Sequence, residues 1–139
     1  MGIFLALDYG EKRTGLAVTD INKIIASGLI ALSTIEVIPY LIKYCEKNIV
    51  EKFIVGHPKK YNNNESQIEN NIKKFIKKLN LSLPKIPIVR YDERFTSKIA
   101  SNAILEYGLI KRRRQDKLLV DKVSATILLQ SYLSMHNNI

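Results

Sequence analysis

The sequence predicts an α/β fold: a five-stranded mixed sheet flanked by helices. Three short apolar segments separated by turn residues come first, and helix-like and strand-like segments then alternate. Strands joined by short turns pair antiparallel, whereas strands joined through helices pair parallel, so one sheet of both kinds is expected. The chain has 139 residues, the size of one domain, and we expect a single domain over residues 1–139.

The apolar segments predict where each strand lies. In chain order, the expected strands are Ile3–Leu7, Arg13–Thr19, Ile24–Leu32, Lys52–Val55 and Ile86–Tyr91. The first is apolar throughout, which is typical of a strand covered on both faces, so it is placed at the centre of the sheet. Gly28 marks a candidate β-bulge in the third strand. The predicted strand order is 3-2-1-4-5, the order used by RNase H-like domains.

Apolar residues at helical spacing predict the helices between and after the strands. The first helix has a stripe formed by Ile38, Leu41, Ile42, Cys45 and Ile49. The second spans Glu65–Asn80, with a stripe formed by Ile68, Ile72, Phe75, Ile76 and Leu79. Thr96 is expected to cap a short helix that ends at Gly108, and a final helix is expected from about Asp116 to Ser134.

The composition indicates a polyanionic partner. The formal net charge is +9 and the pI about 9.7, and such a field attracts nucleic acid. The alternative is a host in which lysine is the default surface residue. The single Cys45 excludes an internal disulfide and fits a reducing cytosol. Residues 1–7 lack the basic start of a signal peptide, and no apolar run reaches the ~20 residues of a membrane span.

Carboxylates follow two of the predicted strands, and another lies in the last helix. Asp8 ends the first strand, Asp92 and Glu93 end the fifth, and Asp121 lies one turn into the final helix. Ligands of α/β sheets gather at the carboxyl ends of the strands. Small residues of the last helix, Ser124 and Ala125, would let it approach the sheet and bring Asp121 close. Each acid also has a plain interpretation as a turn residue, a local ion pair or a helix-dipole partner.

Clustered carboxylates suit the hydrolysis of a phosphodiester. Their oxygens are ligands for Mg²⁺ or Mn²⁺, and two such ions can clamp the attacking and leaving oxygens. Nucleic-acid contacts are expected from basic residues near these acids and in the loop before the last helix. They are Lys12, Arg13, Arg94, Lys111, Arg112, Arg113, Arg114 and Lys117. The loop has the alternative of being only a solvated surface.

Four motifs carry a resemblance to a known family. The segment 7–20, LDYGEKRTGLAVTD, resembles the opening motif of the YqgF/RuvX family of pre-16S rRNA nucleases. Val55–Pro58 is similar to its Val-Gly-Leu-Pro loop, and Asp92–Ser97 to its Asp-Glu-Arg-Leu-Thr-Thr motif. Residues 120–133 resemble its C-terminal helix. None of the departures, such as His57 and Phe95 in place of leucine, removes a carboxylate.

The resemblance implies an RNase H-like fold related to the RuvC junction resolvases, and a cytoplasmic role in maturing the 5′ end of 16S rRNA. It implies Asp8, Glu93 and Asp121 as catalytic and metal-binding acids, with Asp92 as the alternate and two Mg²⁺ or Mn²⁺ ions as cofactors. RuvC-type sites also take an acid from the fourth strand, where this chain has Gly56-His57-Pro58. The second acid is therefore expected from the fifth strand.

Several functions remain open at this point. The leading hypothesis is an endonuclease acting on structured precursor rRNA, in contact with ribosomal subunit precursors. A Holliday-junction resolvase acting on branched DNA needs the same acids and the same basic groove. A non-catalytic RNA-binding factor of ribosome assembly is the alternative from another class. An actin-like ATPase ranks last, because a chain of 139 residues lacks a second lobe. The oligomeric state is not predicted.

Overall fold

The computed structural model describes residues 2–57, 64–92 and 117–137. The strands are β1 (Ile3–Asp8), β2 (Arg13–Thr19), β3 (Ala26–Ser33), β4 (Val50–His57) and β5 (Ile88–Asp92). The helices of these ranges are α1 (Thr34–Lys47), α2 (Asn64–Ser82) and α3 (Lys117–Asn137). The short helix predicted between Thr96 and Gly108 lies outside the described residues.

The five strands form one mixed sheet in the order β3-β2-β1-β4-β5, as predicted. β1 pairs antiparallel with β2 and parallel with β4, so the apolar first strand is central. The pairing of β2 with β3 shifts register between Leu16 and Ala17, where Leu29 is the additional residue of β3. The bulge thus lies directly beside Gly28, where it was expected.

Two hydrophobic cores cover the two faces of the sheet. On one face, Leu5, Leu7 and Phe53 pack against α1 and α2 through Leu41, Phe75 and other fully or nearly buried side chains. On the opposite face, Ala6, Ala17 and Ile54 pack against α3 through residues such as Ala125 and Leu129. Side chains alternate between faces along a strand, so each later residue of β1 can be assigned to one core or the other.

The stripe predicted for the first helix is partly wrong. The helix buries Val37 and Leu41, whereas Ile42 is 39% exposed and Ile49 is 70% exposed. The helical spacing was extended too far, because the helix ends at Lys47 and the chain turns into β4. The stripe of α2 is confirmed, with Ile72, Phe75 and Leu79 buried.

The final helix extends beyond its expected end at Ser134. In the described part of the chain it spans Lys117–Asn137, and the expected start at about Asp116 lies outside the described residues. Among the residues that the structure describes, no helix is both long and apolar enough to cross a membrane.

Candidate active site

Asp8 is the last residue of the central strand, and the pairing of β1 with β2 fixes the direction of its side chain. Asp8 lies directly opposite Gly15. It shares a face with Ala6, two residues earlier, and Ala6 belongs to the core under α3. Asp8 is half-buried. Its carboxylate therefore projects from the carboxyl end of β1 toward the α3 side of the sheet.

Threonine hydroxyls hold the turn that follows Asp8. The Thr34 hydroxyl donates a hydrogen bond to the Gly10 carbonyl oxygen at 2.6 Å, and the Thr34 N–H donates to the Lys12 carbonyl oxygen at 3.0 Å. The hydroxyl of fully buried Thr14 lies 2.8 Å from that of Thr34. The first residue of α1 thus fastens the turn, and the end of β1 is positioned from the opposite face of the sheet.

A glycine of β2 lets α3 approach Asp8 closely. A Cβ atom on Gly15 would overlap the backbone carbonyl of Asp121. Since Gly15 is the cross-strand partner of Asp8, the backbone of Asp121 lies over the residue beside Asp8. The sequence reasoning looked for small residues on the helix, but the smallest residue of this contact is on the strand. The Gly-Leu-Ala run of β2 was the available signal.

Arg13 connects β2 to Asp121. Its Nε donates to Asp121 Oδ2 at 2.7 Å, and the two side chains are 35% and 25% exposed. Arg13 lies two residues before Gly15 and therefore on the α3 face as well. The sequence assigned Arg13 to nucleic-acid binding, whereas in this structure its guanidinium holds a predicted catalytic carboxylate. Lys12 is exposed at the turn, and its contact with nucleic acid stays a prediction.

Asp92 lies at the same carboxyl end of the sheet as Asp8, but on the opposite face. It pairs with His57 at the end of β4, and it is two residues from Arg90. Arg90 reaches α2, where its Nη1 and Nη2 donate to the two oxygens of Glu69 at 2.8 and 3.0 Å. Arg90 Nη2 also donates to the Gly56 carbonyl oxygen at 3.0 Å. The structure therefore brings Asp8 and Asp121 to one face and separates Asp92 from them.

The paired hydrogen bonds from Arg90 to Glu69 determine the electrostatics of the α2 side. The hydrogen bonds from Arg90 hold the pKa of Glu69 below its ordinary value, with weaker contributions from the charges of Arg90 and His57. His57 Nε2 lies 3.6 Å from Glu69 Oε2. No partner of His57 could be predicted, because Glu69 lies twelve residues later in α2 and no local spacing joins the two residues.

The donor chemistry of the α3 side fits a hard divalent cation. Asp8 and Asp121 supply carboxylate oxygens, which Mg²⁺ and Mn²⁺ prefer. Within residues 2–57, 64–92 and 117–137, no three histidine, cysteine or carboxylate residues gather into a metal-binding group. Gly56 of β4 lies on the α3 face with Ile54 and contributes no side chain.

Most of the remaining predicted site residues lie outside the described part of the chain. Those residues are Glu93, Arg94, Lys111, Arg112, Arg113 and Arg114. Lys117 is the first residue of α3. Their expected roles stay predictions.

Comparisons with known proteins agree with this architecture. The RuvX family, described as "Holliday junction resolvase", matches residues 2–135. A protein of Phocaeicola vulgatus named "Putative pre-16S rRNA nuclease" is 53% identical over 133 residues, which cover 96% of each chain. A protein of Christiangramia forsetii with the same name is 49% identical, covering 96% of this chain and 98% of its own.

A solved structure shares the fold at low sequence identity. RuvC of Thermus thermophilus in complex with a Holliday junction substrate superposes with a TM-score of 0.63 at 10% identity. The match covers 99% of this chain and 96% of that one. The resemblance that the motifs suggested is thus confirmed over nearly the whole sequence, and the chain belongs to the RuvX family.

Proposed function

We propose that this protein is a metal-dependent nuclease that matures the 5′ end of pre-16S rRNA. The observation that carries the proposal is the position of Asp8 and Asp121 on one face of the sheet at the carboxyl end of the central strand, where the Asp121 backbone lies over Gly15, the cross-strand partner of Asp8. The names of the relatives and the fold shared with a junction-binding RuvC support a phosphodiester substrate. In this proposal, residues 1–139 form one domain that acts in the cytoplasm on ribosomal precursors.

The metal ligands would be Asp8, Asp121 and Glu93. Side-chain alternation along β5 supports Glu93 over Asp92, because Tyr91 faces α3 and Asp92 faces the opposite side. Bound Mg²⁺ or Mn²⁺, in one or two ions, would lower the pKa of an attacking water and neutralise the leaving oxygen.

The residues of the chain itself do the positioning. Thr14 and Thr34 fix the turn after Asp8, so its carboxylate is held in place before substrate binds. Arg13 orients Asp121 through a single charge-assisted hydrogen bond of 2.7 Å, and both side chains are partly exposed. Because this bond uses one carboxylate oxygen, the other oxygen of Asp121 remains for a cation. Arg13 also balances the negative charge of the acids until a cation arrives.

Basic residues around the acids would bind the phosphate backbone. Lys12 and Arg13 lie at the turn beside Asp8. The other basic residues lie near Glu93 or Asp121 in the sequence. They are Arg94, Lys111, Arg112, Arg113, Arg114 and Lys117. Phosphate contacts fix the register of a nucleic acid without reading its bases. The substrate is therefore selected by shape, which suits a structured RNA end.

A second candidate is cleavage of branched DNA. The description of the family as a Holliday junction resolvase favours it, as does the RuvC structure that contains such a junction. The same acids would serve both reactions, so only the substrate distinguishes the two. A non-catalytic RNA-binding factor is the outcome if the acids prove dispensable.

A cleavage assay tests the proposal. Purified protein is incubated with a precursor rRNA fragment, a four-way DNA junction and a single-stranded oligonucleotide, each with Mg²⁺ and with Mn²⁺. We expect cleavage of the precursor rRNA that needs the divalent ion and is lost in Asp8→Asn. Preferred cutting of the junction would select the resolvase. No cleavage of any substrate, together with normal growth of cells carrying Asp8→Asn, would select the assembly factor.

A further inference from the structure

The helix α2 carries an unusually dense group of lysines. Lys73, Lys74, Lys77 and Lys78 are all exposed. Residues four apart are neighbours on a helix, so Lys74 and Lys78 lie side by side, as do Lys73 and Lys77. Such like-charge pairs cost stability unless an anion compensates them. For Lys73 an acid is available one turn earlier, at Glu69, but the corresponding position for Lys74 is Asn70.

Lys74 and Lys78 differ from the other two because they line a cavity. The cavity has a volume of about 370 Å³ and lies between α1, α2 and the turn after Asp8. Lys73 and Lys77 are not part of its wall. Within the described chain, no carboxylate forms an ion pair with Lys74 or Lys78. Two ammonium groups that have no ion-pair partner among the described residues thus border a cavity of about 370 Å³.

The rest of the wall combines an aromatic surface with one acid. The Tyr9 ring packs on Phe75 with centroids 5.2 Å apart, and Ile38 adds an aliphatic side. Glu11 also lines the cavity, and its carboxylate accepts a hydrogen bond from Asn71 Nδ2 of α2 at 3.1 Å. A negatively charged ligand would avoid Glu11, so we expect its phosphates to contact the lysines.

The cavity borders the turn that directly follows Asp8, on the opposite face of the sheet. Asp8 faces α3, and the next residue, Tyr9, packs in the core on the α1 and α2 side and lines the cavity. We infer that a nucleic-acid strand bound at Asp8 continues past the Gly10 turn toward this cavity. The Thr34 hydrogen bonds hold that turn in place.

We propose that this cavity is a subsite for single-stranded RNA that flanks the cleaved phosphodiester. A nucleotide base lies against Tyr9, Ile38 and Phe75, and the adjoining phosphates contact Lys74 and Lys78. Aromatic surfaces beside basic residues are the usual means of holding a single strand without sequence preference. The inference rests on the proposed nuclease function, since it names where the substrate leaves the site.

Equilibrium binding to a single-stranded RNA of twelve nucleotides tests the subsite. All proteins carry Asp8→Asn, so that the RNA stays intact. The variant Lys74→Gln/Lys78→Gln is compared with Lys73→Gln/Lys77→Gln, which removes the same charge from the same helix away from the cavity. Glutamine keeps the helix propensity of lysine, and thermal unfolding checks that both variants are folded.

We expect the cavity variant to bind about tenfold more weakly at 0.1 M salt, with a salt slope smaller by about 1.4, because two phosphate contacts are lost at about 0.7 each. The control should change the slope by less than roughly 0.5. Equal changes in both variants, or none in either, would overturn the subsite. Failure of the nuclease function is a separate result: wild-type protein would bind RNA yet cleave nothing.

Discussion

Two arginine–carboxylate pairs lie at the same end of the sheet, where β1 and β5 finish, but on its opposite faces. They differ in their hydrogen bonds. On the α2 side, Arg90 grips both oxygens of Glu69 and also donates to the carbonyls of Val55 and Gly56. On the α3 side, Arg13 reaches one oxygen of Asp121 through a single Nε bond. The Glu69 side chain is 15% exposed, and that of Asp121 is 25% exposed.

This difference indicates that the Arg90–Glu69 pair has a structural role, whereas the Arg13–Asp121 bond can be exchanged for other contacts. The Arg90 fork joins α2 to β4 and β5 and leaves no carboxylate oxygen of Glu69 unused. The Arg13 bond holds Asp121 in position while the carboxylate keeps room for a cation. At this end of the sheet, the α2 face therefore serves stability, and the α3 face is available for chemistry.

Replacement of Asp8 by asparagine should have the largest effect. The amide keeps the shape of the side chain but removes a charge that would hold a cation. We expect cleavage to slow at least about a hundredfold, since each ~1.4 kcal/mol of lost transition-state stabilisation is a factor of ten. Single-turnover cleavage measures it, with Asp92→Asn as the matched control on the other face. Equal losses in the two variants would contradict the division of the faces.

Replacement of Gly15 by alanine should displace α3. The added methyl group meets the backbone of Asp121, which cannot move as a side chain can. We expect a loss of about 2 kcal/mol in the free energy of unfolding, together with weaker cleavage. Gly28→Ala is the control, because its methyl group would meet side-chain atoms of Lys122 and Thr126 and no helix backbone, so we expect a smaller loss. Urea denaturation of both variants measures the difference, and a larger loss in Gly28→Ala would refute the close approach.

Replacement of Glu69 by glutamine should destabilise the fold without stopping cleavage. The change removes charge-assisted hydrogen bonds from Arg90, at a cost of about 1.5 kcal/mol near neutral pH. Because the pKa of Glu69 is lowered on folding, its stabilisation is full above its ordinary value near 4.5 and disappears as the pH falls through the lowered pKa. The difference in the free energy of unfolding between wild type and variant should therefore disappear at acid pH. Urea titrations from pH 7 to pH 2 follow it, and a gap that widens in acid would reverse the assignment.

Replacement of Arg13 by glutamine should have the smallest effect on stability. The pair is partly exposed and makes one bond, so the expected loss is below about 1 kcal/mol. Arg90→Gln is the comparison and should cost more. Removal of the competing positive charge should also tighten Mn²⁺ binding a few-fold. An Arg13→Gln variant as unstable as Arg90→Gln would mean that both pairs are structural.

Much of the fold could be predicted because hydrophobic pattern specifies strands and their faces. The apolar run of β1 required a central position, and β2 was found with the bounds Arg13–Thr19 that its pattern indicated. Ile49 was misplaced, since a helical period does not show where a helix stops. The end of α1 depends on the turn into β4, which is a tertiary feature.

The site was harder to predict than the fold. Residues at strand ends could be named, and the backbone of Asp121 lies over Gly15, the cross-strand partner of Asp8. The face of Asp92 was missed because position at a strand end does not say which side a residue takes; alternation from Tyr91 would have shown it. The partners of Arg13 and His57 come from distant elements, so no spacing in the sequence revealed them.

The binding of Mn²⁺ tests most directly the claim that only the α3 face holds a cation. The free ion can be followed by electron paramagnetic resonance as protein is added, with wild type beside Asp8→Asn and Glu69→Gln. We expect Asp8→Asn to weaken binding at least about tenfold, while Glu69→Gln binds as wild type does. Binding that survives in Asp8→Asn, or that falls equally in Glu69→Gln, would contradict the account.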